Sequence, residues 1–326
     1  MSAPHLAPAS VIPLVEDAVA APSMHNAQPW RFTFKAEAAL FELHGDPDRT
    51  MPRSDPDLRA LHLGCGAALL NLRVSAASAG YEAVVELLPD SKDPWLLARV
   101  RLQASTAADR DLATLHTAVR NRHTSRFPFS DEEIPGPLLD GLSGAARIEG
   151  CHLLVPDNWH TESVLSLVHD SEHREEMDQA VQDETSAWTH GDSETRSDGI
   201  PASAFGPRPT GGSSPVRDFG RSKPVPGRGW ATFEKEPRIA LLGTAGDTPR
   251  DWLQAGQALE HVLLQATADG LVSSMTSQPL EWPELRWALR DPDTSMGYVQ
   301  MVLRLGYGPQ GPATPRRPAS EVLNIV

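Results

Sequence analysis

Apolar and polar positions alternate with two different periods along this chain, and the switches between them mark its elements. Ile12, Val15, Ala18 and Val19 recur at helical spacing over residues 11–21. Pro22 ends that helix and a polar turn follows. The stretches "WRFTF" and "ALFELH" then alternate and predict a hairpin, with "KAEA" as its turn. From Pro56 to Gly80 a helical pattern returns in "DLRALHLGCGAALLNLRVSAASAG". Its many small residues let a helix approach its neighbours closely, which predicts a central buried helix. Two more strands follow, "EAVVELL" and "WLLARVRL".

The second half repeats parts of this plan. "GQALEHVLLQATADGL" at 256–271 aligns without gaps with "GAALLNLRVSAASAGY" at 66–81. Gly66/Gly256, Ala68/Ala258, Leu69/Leu259, Ala76/Ala266 and Gly80/Gly270 coincide. A late strand follows each helix, "ARVRL" in one half and "VQMVLRLGYG" in the other. The pattern reads as an internal duplication with two α+β halves, residues 1–115 and 116–326. Residues 189–230 break it, being dense in Gly, Pro, Ser and charge. Trp188, Phe205, Phe219 and Trp230 offer that segment anchors, which favours a lid over a free linker.

Composition narrows the classes. The chain has 326 residues, 40% of them apolar, which predicts a globular protein of two units. A net charge of −14 argues against a general nucleic-acid binder. Cys65 and Cys151 stand far apart and make neither a disulfide framework nor a zinc site. The first residues lack a basic region, and no run of about 18 apolar residues occurs. The expectation is a soluble cytoplasmic protein with no membrane partner.

Two clusters carry candidate chemistry. "APSMHNAQPWRF" at 21–32 concentrates Ser23, Asn26 and Gln28, which offer donors and acceptors to an uncharged heterocycle. The same side chains could instead cap backbone groups at a helix end. "RNRHTSRFPF" at 120–129 packs four basic residues beside two hydroxyls, the composition of a small anion site or of a solvated helix end. Arg316 and Arg317, after a Gly/Pro loop, are a second phosphate candidate or an exposed tail. "GCGAAL" at 64–69 is only a partial dinucleotide fingerprint, with no third Gly and no strand before it. His169 and His173, beside Glu172 and Glu176, read as an exposed acidic helix face, so no metal is expected. Cys65 reads as a small core residue.

These motifs resemble a known family. "APSMHNAQPWRF" is similar to the signature turn of the FMN-dependent nitroreductase superfamily, and "RHTSRF" resembles its R-x-S-x-R-x-F motif. The resemblance implies a nitroreductase-like α+β fold, each half with a mainly antiparallel sheet flanked by helices. It also implies an FMN held by Arg122, His123, Thr124 and Arg126, by Ser23, Asn26 and Gln28, and by Arg316 and Arg317. A backbone N–H facing the reactive flavin nitrogen would fall near Ser277 and Gln278. Ordinary members place the Arg motif before the turn; here it comes a hundred residues after it. The second half has "HDSEHREEMD" where its own turn is expected. With the repeat, "GCGAALLNLR" and "TPRRP", the chain looks like the Acg-like branch: two fused halves sharing one surviving site, a monomer built as a pseudo-dimer. The activity so implied is flavin-borne hydride chemistry on a small molecule, with NAD(P)H as donor and no catalytic side chain. Two other readings stay open, an FMN-storage protein and a biosynthetic flavin-dependent dehydrogenase.

Overall fold

The computed structural model describes residues 8–104, 109–192, 195–213, 215–221, 225–291, 294 and 296–326; residues 193, 194, 214 and 222–224 of the expected lid lie outside them. Two sheets flank a pair of long helices. The first sheet runs, edge to edge, Leu323–Ile325, Trp30–Lys35, Leu40–Gly45, Leu96–Ala104 and Tyr81–Leu87. The second runs His152–Leu154, Arg238–Thr244, Tyr298–Gly306 and Val272–Thr276. Without the C-terminal strand, both follow one plan. Each opens on a strand preceded by a helix, Pro8–Ala18 in one half and Gly136–Ile148 in the other. In each, a 20-residue helix joins the second strand to the outer one: Arg59–Ser78 and Pro249–Ala268. The fold is α+β with two pseudo-symmetric halves.

Local chemistry explains these elements. In Trp30–Lys35 the side chains of Trp30, Phe32 and Phe34 point inward and are buried, while Arg31 is exposed. Burying each such aromatic contributes about 1.5–3 kcal/mol. Pro249–Ala268 starts with a capping box, in which Thr248 and Asp251 satisfy each other's backbone N–H, and has Pro249 in its first turn. Both long helices stop at a glycine with positive φ, Gly80 at 82° and Gly270 at 79°.

The two long helices cross at the aligned glycines. A Cβ on Gly66 would lie 3.0 Å from Gly256 Cα and collide with the Leu253 carbonyl oxygen. A Cβ on Gly256 would lie 2.9 Å from Gly66 Cα and collide with the Leu63 carbonyl oxygen. Leu63 and Leu253 occupy the same place in the repeat, so each helix gives the other the contact it receives. Reciprocity of this kind is the mark of a two-fold interface, here within one chain.

Three expectations need correction. Helix Arg59–Ser78 is long and apolar enough by composition to cross a bilayer, contrary to the expectation of no such run. Its apolar stretch is 89% buried inside the protein, so it serves the core. "HDSEHREEMD" lies in and just beyond helix Asn158–Met177 and is not the second half's turn. That place, between helix Gly136–Ile148 and strand His152–Leu154, is held by Glu149, Gly150 and Cys151. Trp230 does not anchor the lid; it is 64% exposed, whereas Phe205 and Phe219 pack with Ile200 and Ala204 in a small core of their own.

Candidate functional site

The polar turn is held in an unusual backbone. His25, Asn26 and Gln28 have φ of 48°, 56° and 54°, the left-handed region that side chains other than glycine seldom adopt. Strain of this kind costs about 1–3 kcal/mol per residue and persists only where the surroundings enforce it. Here they do so through hydrogen bonds. Ser23 Oγ accepts from the Gln28 backbone N–H at 2.9 Å. Asn26 Nδ2 donates to the Gly199 carbonyl at 2.9 Å and to the Pro315 carbonyl at 3.0 Å, and Asn26 Oδ1 accepts from Arg316 at 2.9 Å. Gln28 Nε2 donates to the Ser197 carbonyl at 2.7 Å, and its Oε1 accepts from the Arg317 backbone N–H at 2.8 Å. The turn therefore binds the lid and the C-terminal segment to the first half.

The arginine motif is set by the second sheet. Thr124 pairs with Ser273 as a single parallel bridge, and Ser125 N–H donates to the Ser273 carbonyl at 2.8 Å. The buried Arg304, paired with Glu234, fixes the far end by donating to the Phe127 carbonyl at 2.8 Å. The C-terminal chain then crosses back to pair its last strand, parallel, with Trp30–Lys35.

Turn, motif, C-terminal segment and lid line one cavity. Of the residues singled out in the sequence, Ser23, Asn26, Arg122, His123, Thr124, Arg126, Ser277 and Arg316 line it. Gln28, Gln278 and Arg317 do not. Gln28 is buried behind the turn, Gln278 Nε2 donates to Glu175 at 3.0 Å, and Arg317 lies 3.7 Å from Asp46. Three lining residues carry charge or proton chemistry that the sequence did not flag: His25, Arg59 and Arg217. His25 lay inside the quoted turn, where its neighbours drew the attention. Arg59 opens a core helix, and Arg217 belongs to the lid, so neither has a local signal. Leu63, Leu259, Met275 and Met301 supply apolar wall.

The lining is one-sided in charge. Among the described residues it holds Arg59, Arg122, Arg126, Arg217 and Arg316 with His25 and His123, and no Asp or Glu. Arg217 is compensated from behind by Glu175 at 2.8 Å and Glu281 at 3.0 Å. Arg122 has Glu260 at 3.4 Å. Among the described residues, no carboxylate lies within 4 Å of Arg59, Arg126 or Arg316. Burial, then repulsion from Arg217, lowers Arg126 to about 10. Burial, then repulsion from Arg122, lowers Arg316 to about 9. Burial likewise pushes Glu260 and Glu281 up to about 7 against the pull of Arg122 and Arg217. A buried cation without a counter-ion carries a desolvation cost that an anionic ligand would offset.

Residues 189–230 cover one side of this space. Besides their bonds to Asn26 and Gln28, Asp198 pairs with Arg49 at 2.9 Å, and the Ala204 carbonyl accepts from Arg126 at 2.9 Å. The Pro215 carbonyl accepts from Thr276 Oγ1 at 2.5 Å. Phe219 lies against Arg126, whose guanidinium carbon is 5.0 Å from the ring centroid.

Comparison with known proteins agrees with this picture. No family model matches the chain. A Mycobacterium tuberculosis protein named "Putative NAD(P)H nitroreductase Rv3131" is 33% identical over 328 residues, covering 94% of this chain and 88% of that protein. The acg nitroreductase of the same organism is 29% identical over 330 residues, covering 95% and 94%. Among solved structures, the FMN-dependent nitroreductase NfnB of Mycobacterium smegmatis in complex with NADPH is 15% identical. It covers 65% of this chain and 97% of its own, with a TM-score of 0.41. A nitroreductase with bound FMN from Bacteroides fragilis is 16% identical, covering 62% and 92%, with a TM-score of 0.35. The chain belongs to the nitroreductase superfamily. Within it, the chain falls in the Acg-like branch formed with these mycobacterial relatives.

Proposed function

We propose that the cavity holds one FMN between two fused halves, residues 1–115 and 116–326, and that the protein is a cytoplasmic flavin-dependent oxidoreductase acting on a small molecule as a monomer. The observation that carries this reading is the guanidinium-rich lining with apolar walls, without an acid among the described residues, in a molecule of net charge −14. It matches an anion attached to a flat apolar ring system. The names of its relatives and structural neighbours, putative NAD(P)H nitroreductases and FMN-bound nitroreductases, point the same way.

The residues fit that group. Arg122, Arg316 and His123 form the pole suited to a phosphate. Arg316 Nε is buried without a hydrogen-bond partner, whereas Arg122 Nε faces Glu260 at 3.4 Å. Thr124 adds a hydroxyl. Arg126 would hold the polar edge of the ring, where a guanidinium favours developing negative charge. Ser277 is also on the lining, its hydroxyl donating to Glu281 at 2.9 Å. When bound, FMN supplies two-electron hydride chemistry between NAD(P)H and an acceptor. The chain's part is to bind, orient and exclude water.

One observation favours a second reading, in which the protein stores FMN without turnover: the lid is bonded to turn, motif and sheet at once. Anaerobic mixing with NADPH separates the two. Rapid bleaching of flavin in the intact protein supports the reductase. Bleaching only after residues 189–230 are replaced by a short Gly/Ser linker supports storage. A purified protein that is colourless and takes up no FMN refutes both.

A further inference from the structure

Of the turn's side chains, Asn26 and Gln28 have their amide groups taken up by lid and C-terminal segment. His25 is different. It lines the cavity, is only 5% exposed, and its Nε2 is buried with no hydrogen-bond partner. A buried polar atom of this kind costs about 1–3 kcal/mol unless a ligand satisfies it. The φ of 48° that places the ring there adds strain to that cost. The imidazole meets the lid's Phe219 edge-on, with centroids 5.5 Å apart. Arg126 lies against the same ring, so acceptor and donor flank one aromatic plate. Burial and the nearby Arg217 and Arg126 hold His25 well below its ordinary pKa, which keeps the ring neutral. With its proton on Nδ1, a neutral ring presents a lone pair at Nε2.

We propose that His25 Nε2 accepts a hydrogen bond from a ring N–H of the bound heterocycle while Arg126 donates to the adjoining ring carbonyl, so that together they read an imide edge. The inference rests on the FMN reading, since the pyrimidine half of a flavin carries such an edge at N3. It makes His25 a residue that selects ligands with that edge over analogues lacking the N–H.

The test compares FMN with N3-methyl-FMN by equilibrium binding to the protein. Wild type should prefer FMN by about tenfold or more, the effect of one buried hydrogen bond. His25→Phe keeps an aromatic ring against Phe219 and should bind the two flavins within about twofold. His25→Asn, which tolerates the left-handed backbone and retains an acceptor, should keep part of the preference. An unchanged preference in His25→Phe overturns the assignment. Where that variant fails to fold, wild type alone decides: in 15N-labelled protein with 15N-labelled FMN, a scalar coupling between flavin N3 and an imidazole nitrogen of His25 is expected. Absence of that coupling in the complex also overturns the assignment. If wild type binds neither flavin, the FMN reading fails and takes this inference with it.

Discussion

A guanidinium buried beside another guanidinium, with no carboxylate at hand, is a poor arrangement unless something anionic completes it. Arg126 is the sharpest case, with Arg217 as its charged neighbour and, among the described residues, only the Ala204 carbonyl as acceptor. Arg126→Ala should weaken FMN retention by about 1.5–3 kcal/mol, read as faster flavin release on dilution. His169→Ala, on an exposed helix face, should leave release unchanged. Glu260 gives a pH signature. Its carboxyl is raised to about 7 by burial, so the folded state keeps a proton that the unfolded chain loses above about 4.5. That contribution is full below 4.5 and is lost as pH rises through 7. Glu260→Gln should therefore gain on wild type in melting temperature between pH 5 and pH 8; a constant difference would contradict it. Eight of the eleven residues singled out in the sequence line the cavity because their motifs are contiguous and face one way. His25, Arg59 and Arg217 were not legible, because their meaning depends on neighbours brought in from other parts of the chain.

At the scale of elements, the shared helix pair positions everything else. The turn is seated on the first core helix, where a Cβ on Gly64 would lie 3.2 Å from Ser23 Cβ, and the cavity floor uses Leu63 and Leu259 from the two core helices. Gly66→Ala would drive a methyl group into backbone on the facing helix, which cannot yield as a side chain does. It should cost at least about 1–3 kcal/mol and lower the melting temperature by about 2–4 °C for each. It should also weaken flavin binding, because Ser23 and Arg122 would move apart. Gly80→Ala, with open space around it but φ of 82°, should lower stability through strain alone and leave flavin affinity in place. The hairpin and the core helices were legible because alternation and small-residue spacing are strong over long stretches. Strand His152–Leu154 was not, since three residues cannot show a period. The parallel two-stranded pairings in and beside residues 189–230 left no alternating pattern to read.

For the whole molecule, duplication explains both the symmetry and its failure. The alignment that pairs Gly66 with Gly256 pairs Gly64 with Gln254. Gly64 leaves room for the turn in one half, whereas Gln254 Nε2 lies 3.4 Å from where a Cβ on Gly150 would stand. Nearby, Glu149 joins Arg73 at 2.6 Å and His261 at 3.2 Å, and Arg73 also donates to Gln257 at 2.9 Å. The place where a second polar turn would stand is thus filled by the chain's own polar groups. On the proposed reading the site draws its turn from one half and the arginine motif from the other, and the C-terminal strand pairs with the first half's sheet. The measurement that tests this most directly is native mass spectrometry of the protein saturated with FMN. The account predicts a single chain carrying one FMN; two flavins per chain, or none, would contradict it.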